Sequence, residues 1–393
     1  MKIIELPFKV NKPILACGAD MKGAFTLARG REAFLFDGFG DLGDPDNLAK
    51  YERSVKAHTK KLGIKPSIVA CDLHPGYFSS KFAESFQSGC SSAHLSVRYN
   101  CGPCTLYRIQ HHEAHVASAI VDNNIKGSII GVAFDGTGYG SDGNIWGGEF
   151  FVVRCPLSVG RQNFRRIAHL EYVPMPGGDA AVKEPWRMAA SYLYYAFGED
   201  FFKSRGRAHL NVPYINKDSL KVLVKMIDKN INSPLTSSAG RLFDAAGSII
   251  LAKARVSKEA ELPIELERLV SGDRCGSYKF RFRPDGEGVI IDIKEIIKGI
   301  VKDLSNKRER QEISSKFHNT MADVITKTVL NLSKKFKVKQ AVLSGGVFQN
   351  KYLTAKAVRS LTANDMKVYT HSNIATNDSG IPIGQTAIAN ARG

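Results

Sequence analysis

Two stretches far apart in the chain place the same demand on the fold. G-S-I-I-G-V-A-F-D-G at residues 127–136 and K-Q-A-V-L-S-G-G-V at 339–347 are apolar runs of strand length, and they stop abruptly on an acid or on paired glycines. Uninterrupted runs of this kind read as buried strands, with the turn chemistry placed at their ends. S-I-V-A-C-D at 67–72 is a third, and T-L-Y-R-I-Q at 105–110 a shorter one. Helical patterns lie between them: N-L-A-K-Y-E-R-S-V-K-A-H-T-K-K-L-G, stopped by Gly63, and another around 78–88. At the start, P-I-L-A-C-G-A-D, G-A-F-T-L-A-R-G and E-A-F-L-F-D suggest a meander of three short strands. From about 180 to 335 the pattern is mostly helical, M-K-V-Y-T-H then returns to strand, and a last helix follows N-D-S-G. The expected architecture is α/β: two sheet-centred lobes, residues 1–160 and 161–393, with a largely helical insertion at about 184–335 in the second.

Composition narrows the setting. The chain of 393 residues has the apolar and charged content of an ordinary globular protein. It has neither a signal-like start nor an apolar run long enough to cross a membrane, so a cytoplasmic protein is expected. A net charge of +17 suits anionic partners such as nucleotides, an acidic protein or RNA. The lysines are scattered over surface-like helices with no aromatic-interleaved basic stripe, which argues against direct nucleic-acid binding. The Cys101-Gly-Pro-Cys104 stretch has the dithiol spacing of redox enzymes, but a strand-like segment follows where a helix start would be needed. An ordinary turn is the simpler reading.

Four stretches can carry chemistry. Q-H-H-E-A-H at 110–115 opens a helix, and His111 and His115, four apart, share one face. Glu113 is out of register with that pair, so the H-E-x-x-H zinc-protease arrangement is absent. F-D-G-T-G-Y-G-S-D-G at 134–143 puts Asp135 at the end of an apolar strand, where a carboxylate needs a metal, a ligand or a hydrogen-bond set. Its glycines can bring amides to an anion or merely shape a hairpin. L-S-G-G-V-F-Q-N at 343–350 joins a strand to a helix start, but the phosphate-loop signature is missing. T-N-D-S-G at 376–380 supplies Asp378, either a ligand or a helix N-cap. Two histidines and two aspartates make an N2O2 set suited to one divalent metal, Fe or Zn in preference to Mg.

These stretches, with C-D-L-H-P-G-Y (71–77), P-G-G-D-A-A-V-K-E-P-W-R-M-A (176–189) and T-S-S-A-G-R-L-F-D-A (236–245), resemble the C-terminal half of the HypF carbamoyltransferases of [NiFe]-hydrogenase maturation. The resemblance runs from about residue 11 to the end. It implies the actin-like ATPase (ASKHA) fold, shared with the tRNA threonylcarbamoyltransferases. It also implies transfer of a carbamoyl group from carbamoyl-adenylate to the C-terminal cysteine thiolate of a HypE-type partner. By position, His111, His115, Asp135 and Asp378 would hold the metal. Gly136, Gly138, Gly345 and Gly346 would cradle phosphate, with Lys22 reaching it from the first hairpin. Gly240, Asp244, Glu261 and Asn350 would face the ribose and adenine of carbamoyl-adenylate, ATP or AMP. His112 would relay a proton from the incoming thiol or support its neighbours through a hydrogen bond.

The chain departs from the family in two respects. The acylphosphatase, zinc and YrdC-like parts of longer members have no counterpart, so carbamoyl-adenylate is expected from a separate YrdC-like source. The family's Y-E-G-Q-A-A reads K-E-A-E-L-P at 258–263, which weakens the ribose contact expected at Glu261. Two alternatives to protein carbamoylation are O-carbamoylation of a small molecule and a nucleotide- and metal-binding assembly subunit without activity of its own.

Overall fold

A computed structural model describes residues 1–88, 104–154, 164–203, 217–271 and 276–393. The first sheet has the order β2-β1-β3-β4. Its long hairpin is β1 (Lys2–Ala16) against β2 (Phe25–Phe36), and β3 (Ile68–Asp72) and β4 (Thr105–Ile109) add in parallel. The expected three-strand meander is wrong. G-A-F-T-L-A-R-G and E-A-F-L-F-D are two halves of β2, because Gly30, at φ +58°, pairs with Val10 at a register shift and carries the strand through its charged middle.

Strand alternation sorts the first sheet's side chains to two faces. Leu15, Phe25 and Val69 join Tyr51 and Val55 of helix α1 (Pro45–Lys61) and Phe82 and Phe86 of α2 (Phe78–Ser88). Ile14, Ala16 and Ala70 face the other way, into a cluster shared with α3 (His111–Asp122) and the C-terminal helix Ile381–Arg392. Gln385 of that last helix clasps the first hairpin: Gly18 N donates to its Oε1 at 2.8 Å, and its Nε2 donates to Gly18 O at 3.1 Å. The two helices approach closely enough that a Cβ on Gly384 would sit 1.9 Å from Ala114 O.

The second sheet is built around β5 (Ile129–Tyr139) and β6 (Ile145–Val153). It continues through β7 (Phe164–Leu170) on one side, and through β12 (Gln340–Ser344) and β13 (Lys367–Tyr369) on the other. Short β8 (Val173–Pro174) and β9 (Leu235–Thr236) pair beside β6. The helices Trp186–Phe197, Ala239–Leu251 and Arg310–Phe336 cover one face, where Ile130, Val132 and Phe134 point. The first sheet's helix α3 covers the other, with Val116 packed where a Cβ on Gly131 would be.

Two features of the second sheet bear on how the lobes are built. The helical insertion also contributes the hairpin β10 (Arg281–Asp285) and β11 (Gly288–Asp292), which extends the second sheet because β11 pairs in parallel with β7. The boundary drawn at 160 does not coincide with the change of sheet. β12 inserts beside β5, pulling residues 129–153 into the second sheet, so the change falls between Ile109 and Ile129. Among the described residues no helix is long and apolar enough to cross a membrane.

Candidate functional site

Helix α3 starts at His111 because Gln110, in an extended conformation, caps it: its Oε1 accepts from His112 N at 2.7 Å and Glu113 N at 2.9 Å. Glutamine is an uncommon cap. Here its Nε2 is used as well, lying 3.1 Å from both Tyr139 O and His112 Nδ1. The cap thus fixes the helix start against the end of β5. The i, i+4 spacing brings His111 and His115 edge to face with ring centroids 4.9 Å apart, both buried.

Asp135 faces them from β5. The register between β5 and β6 shifts between Phe134 and Gly138, and this irregularity lets a strand-end carboxylate turn toward α3. Its Oδ1 accepts from Gly346 N at 2.9 Å. Its Oδ2 lies 3.3 Å from His111 Nε2 and 3.7 Å from His115 Nε2. Asp378 arrives from the C-terminal segment, with Oδ1 at 3.4 Å from His115 Nε2 and 3.7 Å from His111 Nε2. Asp378 is not the cap of its turn. Asn377 caps it, accepting from Ser379 N at 3.1 Å, which leaves the Asp378 carboxylate to the histidines.

One donor atom from each of these four residues lies within 4.8 Å of the other three. Ligands about 2.1 Å from a shared tetrahedral ion stand roughly 3.4 Å apart, so the spacing suits a transition metal. A second observation agrees: His115 Nε2 is buried with no hydrogen-bond partner, a costly state unless something else occupies its lone pair. Sequence reasoning missed Asp72. Its Oδ2 lies 2.8 Å from His111 Nδ1 and its Oδ1 accepts from His74 N at 2.9 Å. That is the carboxylate–histidine support typical of metal ligands, turning Nε2 inward. The signal was available, because Asp72, like Asp135, follows an uninterrupted apolar run.

The electrostatics follow from this crowding. Burial works against a charged His111, but the Asp72 carboxylate and the hydrogen bonds to Asp135 and Asp72 outweigh it and raise its pKa well above the ordinary value. Asp135 is driven the opposite way: burial alone would raise it, and contacts with His111 and His115 hold it well below the carboxylate range. Burial first, and then the neighbouring His111, push His112 far down, so it is neutral. Gln110 fixes its tautomer. With Oε1 of Gln110 already accepting two amides, the group facing His112 Nδ1 is an NH2 donor, which leaves the His112 hydrogen on Nε2. That Nε2 is buried without a partner.

The glycines serve close approach. A Cβ on Gly138 would meet His112 Cε1 at 2.5 Å and His111 Cδ2 at 2.7 Å, so this glycine lets β5 pass beneath the rings. Gly345, at φ +103°, would clash with Phe134 O at 2.3 Å, and Gly240 packs on the 135–136 backbone. Of the expected phosphate-turn glycines, Gly136 has the open surroundings: its nearest neighbour is an Arg241 nitrogen at 3.8 Å. Other expected ligand contacts are engaged within the protein. Lys22 Nζ pairs with Glu259 at 2.7 Å, and Glu261 binds Lys253 Nζ at 2.6 Å and Ser257 N at 2.8 Å. Asn350 caps the helix Lys351–Thr362 through Leu353 N, and its Nδ2 lies 2.9 Å from His318 Nε2. Asp244 is buried against Arg241 at 2.8 Å. Of the Cys101–Cys104 stretch only Cys104 lies within the described residues; it is buried, with Sγ donating to Pro66 O at 3.0 Å.

Comparison with known proteins gives the site its relatives. Two family profiles match, the HypF Kae1-like domain over residues 9–122 and its second carbamoyltransferase subdomain over 131–385. A carbamoyltransferase HypF homolog of Cupriavidus necator is 31% identical over 389 residues, covering 96% of this chain and 92% of its own. The carbamoyltransferase HypF of Rhizobium leguminosarum bv. viciae is also 31% identical, over 96% of this chain but 45% of its own. A crystal structure of full-length HypF in a phosphate- and nucleotide-bound form superposes with a TM-score of 0.87 at 33% identity, covering 99% of this chain and 47% of that one. The HypF of T. kodakarensis gives 0.82 at 28% identity, with 99% and 49% covered. The chain thus spans nearly all of one relative and about half of the longer ones.

Proposed function

The chain belongs to the HypF carbamoyltransferase family, as its Kae1-like C-terminal region with the actin-like ATPase-type fold, and from that premise we propose that it moves a carbamoyl group from carbamoyl-adenylate onto the C-terminal cysteine thiolate of a HypE-type protein. The donor comes from a YrdC-like adenylating domain or protein. The observation that carries this reading is the convergence of His111, His115, Asp135 and Asp378 beside the turn at Gly136.

These four residues would hold one divalent ion, and two imidazoles favour iron or zinc over magnesium. Such an ion, when bound, supplies electrophilic polarisation of a carbonyl or phosphoryl oxygen. The remaining chemistry is acyl transfer. The thiolate sulfur bonds to the carbamoyl carbon, the carbon–oxygen bond of the mixed anhydride breaks, and AMP departs with the electron pair on its phosphate. His112 serves as a neutral Nε2–H donor to an oxygen of the reacting group. The tautomer set by Gln110 disfavours the proton-relay role expected for it, because its lone-pair nitrogen already faces an amide. Asp72 keeps His111 oriented.

The test is direct. Purified protein is mixed with carbamoyl-adenylate and a peptide ending in the partner's cysteine, and a mass gain of one carbamoyl on the thiol is expected. Carbamoylation of a small-molecule hydroxyl in preference to the peptide would replace this reading. Nucleotide binding with no transfer to either acceptor would make the chain an assembly subunit.

A further inference from the structure

Arg241 lies in the first turn of the helix Ala239–Leu251, and its side chain is only 8% exposed. Its Nε has no hydrogen-bond partner. Among the described residues its one ion pair is with Asp244 on the same helix, Nη2 to Oδ2 at 2.8 Å, without hydrogen-bond alignment, so Asp244 Oδ2 is also left without a bond there. Burial pushes the Asp244 carboxyl up to about 6 in spite of the guanidinium beside it, so this pairing is poorly compensated. A buried cation with spare donors is expensive unless an anion meets it. An i, i+3 pair serving the helix alone gains nothing from such burial.

The guanidinium reaches the strand-end turn of the metal-binding cluster. Its Nη2 is the single heavy atom within 4 Å of where a Cβ on Gly136 would sit, and Gly136 directly follows Asp135. The placement is rigid. A Cβ on Gly240 would sit 2.8 Å from Gly136 Cα, and Ser238 Oγ donates to Asp135 O and Gly136 O at 2.8 and 2.5 Å while also capping the helix through Arg241 N at 3.0 Å. One serine therefore ties the turn, the helix start and the arginine together.

We propose that Arg241 is the phosphate-contacting residue of the transfer site, its free donors binding the phosphate of an adenylate that lies along the turn at Gly136. The assignment rests on the nucleotide-dependent transfer proposed above and adds a residue to it. A planar guanidinium offers paired donors that match two phosphate oxygens. When the mixed anhydride breaks, the adenylate phosphate gains a negative charge as it becomes a monoester, so the contact strengthens as the reaction proceeds.

Equilibrium binding of AMP, adenosine and inorganic phosphate to the full chain tests this, with wild type set against Arg241→Gln and Arg241→Lys. The wild type is expected to prefer AMP over adenosine by about tenfold or more, the scale of a charge-assisted hydrogen bond. Arg241→Gln removes that preference and leaves adenosine binding as it was, while Arg241→Lys retains part of it. Inorganic phosphate competes with AMP on the wild type only. If Arg241→Gln is poorly folded because Asp244 is stranded, Arg241→Lys, which keeps a cation beside Asp244, is measured against wild type instead, and its AMP preference is expected to fall while adenosine binding holds. An AMP preference unchanged in a folded variant overturns the assignment of Arg241 alone. A wild type that binds neither AMP nor adenosine overturns the nucleotide-dependent reading, and this proposal with it.

Discussion

His111 and His318 are both fully buried in helices, yet their ring nitrogens meet opposite surroundings. His111 faces carboxylates at both, Asp72 at 2.8 Å and Asp135 at 3.3 Å, and its pKa is driven up. His318 donates from Nδ1 to Ser314 O at 2.9 Å, and its Nε2 accepts from Asn350 Nδ2 at 2.9 Å. With no acid beside it, burial pushes His318 down to about 4. One ring is held between carboxylates, beside a group of donors that could hold a metal ion; the other is a satisfied neutral brace between the helix Arg310–Phe336 and the cap of the next helix. The partners of the two nitrogens, and not burial, separate a site histidine from a structural one.

The contrast breaks most visibly at His115. His115→Ala is expected to lose bound metal altogether, and carbamoyl transfer with it, while the melting temperature stays near that of wild type. Retained metal by elemental analysis would take this residue out of the ligand set. Removing the acid behind His111 is milder: Asp72→Asn should weaken metal affinity by about 10–100-fold, read by competition with a chelator.

His318→Ala should do the reverse. It leaves metal content intact and lowers unfolding free energy by about 1–3 kcal/mol, since it strands the buried Asn350 amide. The sign of its pH dependence follows from the depressed value. Between pH 6.5 and 4 the unfolded chain binds the His318 proton and the folded chain does not. Wild-type stability from this group is therefore complete above pH 6.5 and declines by about 3 kcal/mol as pH falls toward 4. Urea titrations at pH 7.5 and 5 should show a smaller drop for His318→Ala than for wild type; equal drops would refute the assignment. The smallest effect is expected at Asn377→Ala, which loses a cap worth about 1 kcal/mol but should keep the metal, whereas Asp378→Asn keeps its stability and loses metal.

Much of this arrangement was legible in advance, for physical reasons. Local signals located α3, Gly63 behind α1, and the strand end at Ser344, because each depends on periodicity or on one turn; the strand expected to stop at Asp135 runs on to Tyr139. Spacing alone paired His111 with His115. What escaped depends on pairing across the chain. Gly30 hides a bulge within one strand and looks like a break between two. The P-D-G-E-G turn at 284–288 has hairpin chemistry, but nothing near it says that its strands join β7. Asn350 sits in a suggestive stretch, yet its amide is claimed by His318, 32 residues earlier in the chain. Asp72 and Asp135 both follow apolar runs, and only the tertiary structure shows which faces Nδ1 of His111 and which faces Nε2.

The clasp between Gln385 and Gly18 joins residues 367 positions apart. On the ribosome the amino-terminal hairpin is made early and then has to wait for residues 381–392 to emerge. Until they do, Ile14, Ala16 and their neighbours have no cover from the last helix, and Asp378 has not reached the histidines. Contacts between residues this distant in sequence cost loop-closure entropy before they stabilise anything, so they form late in folding. Loss of the helix Ile381–Arg392 would therefore uncover one face of the first sheet, hundreds of residues earlier in the chain.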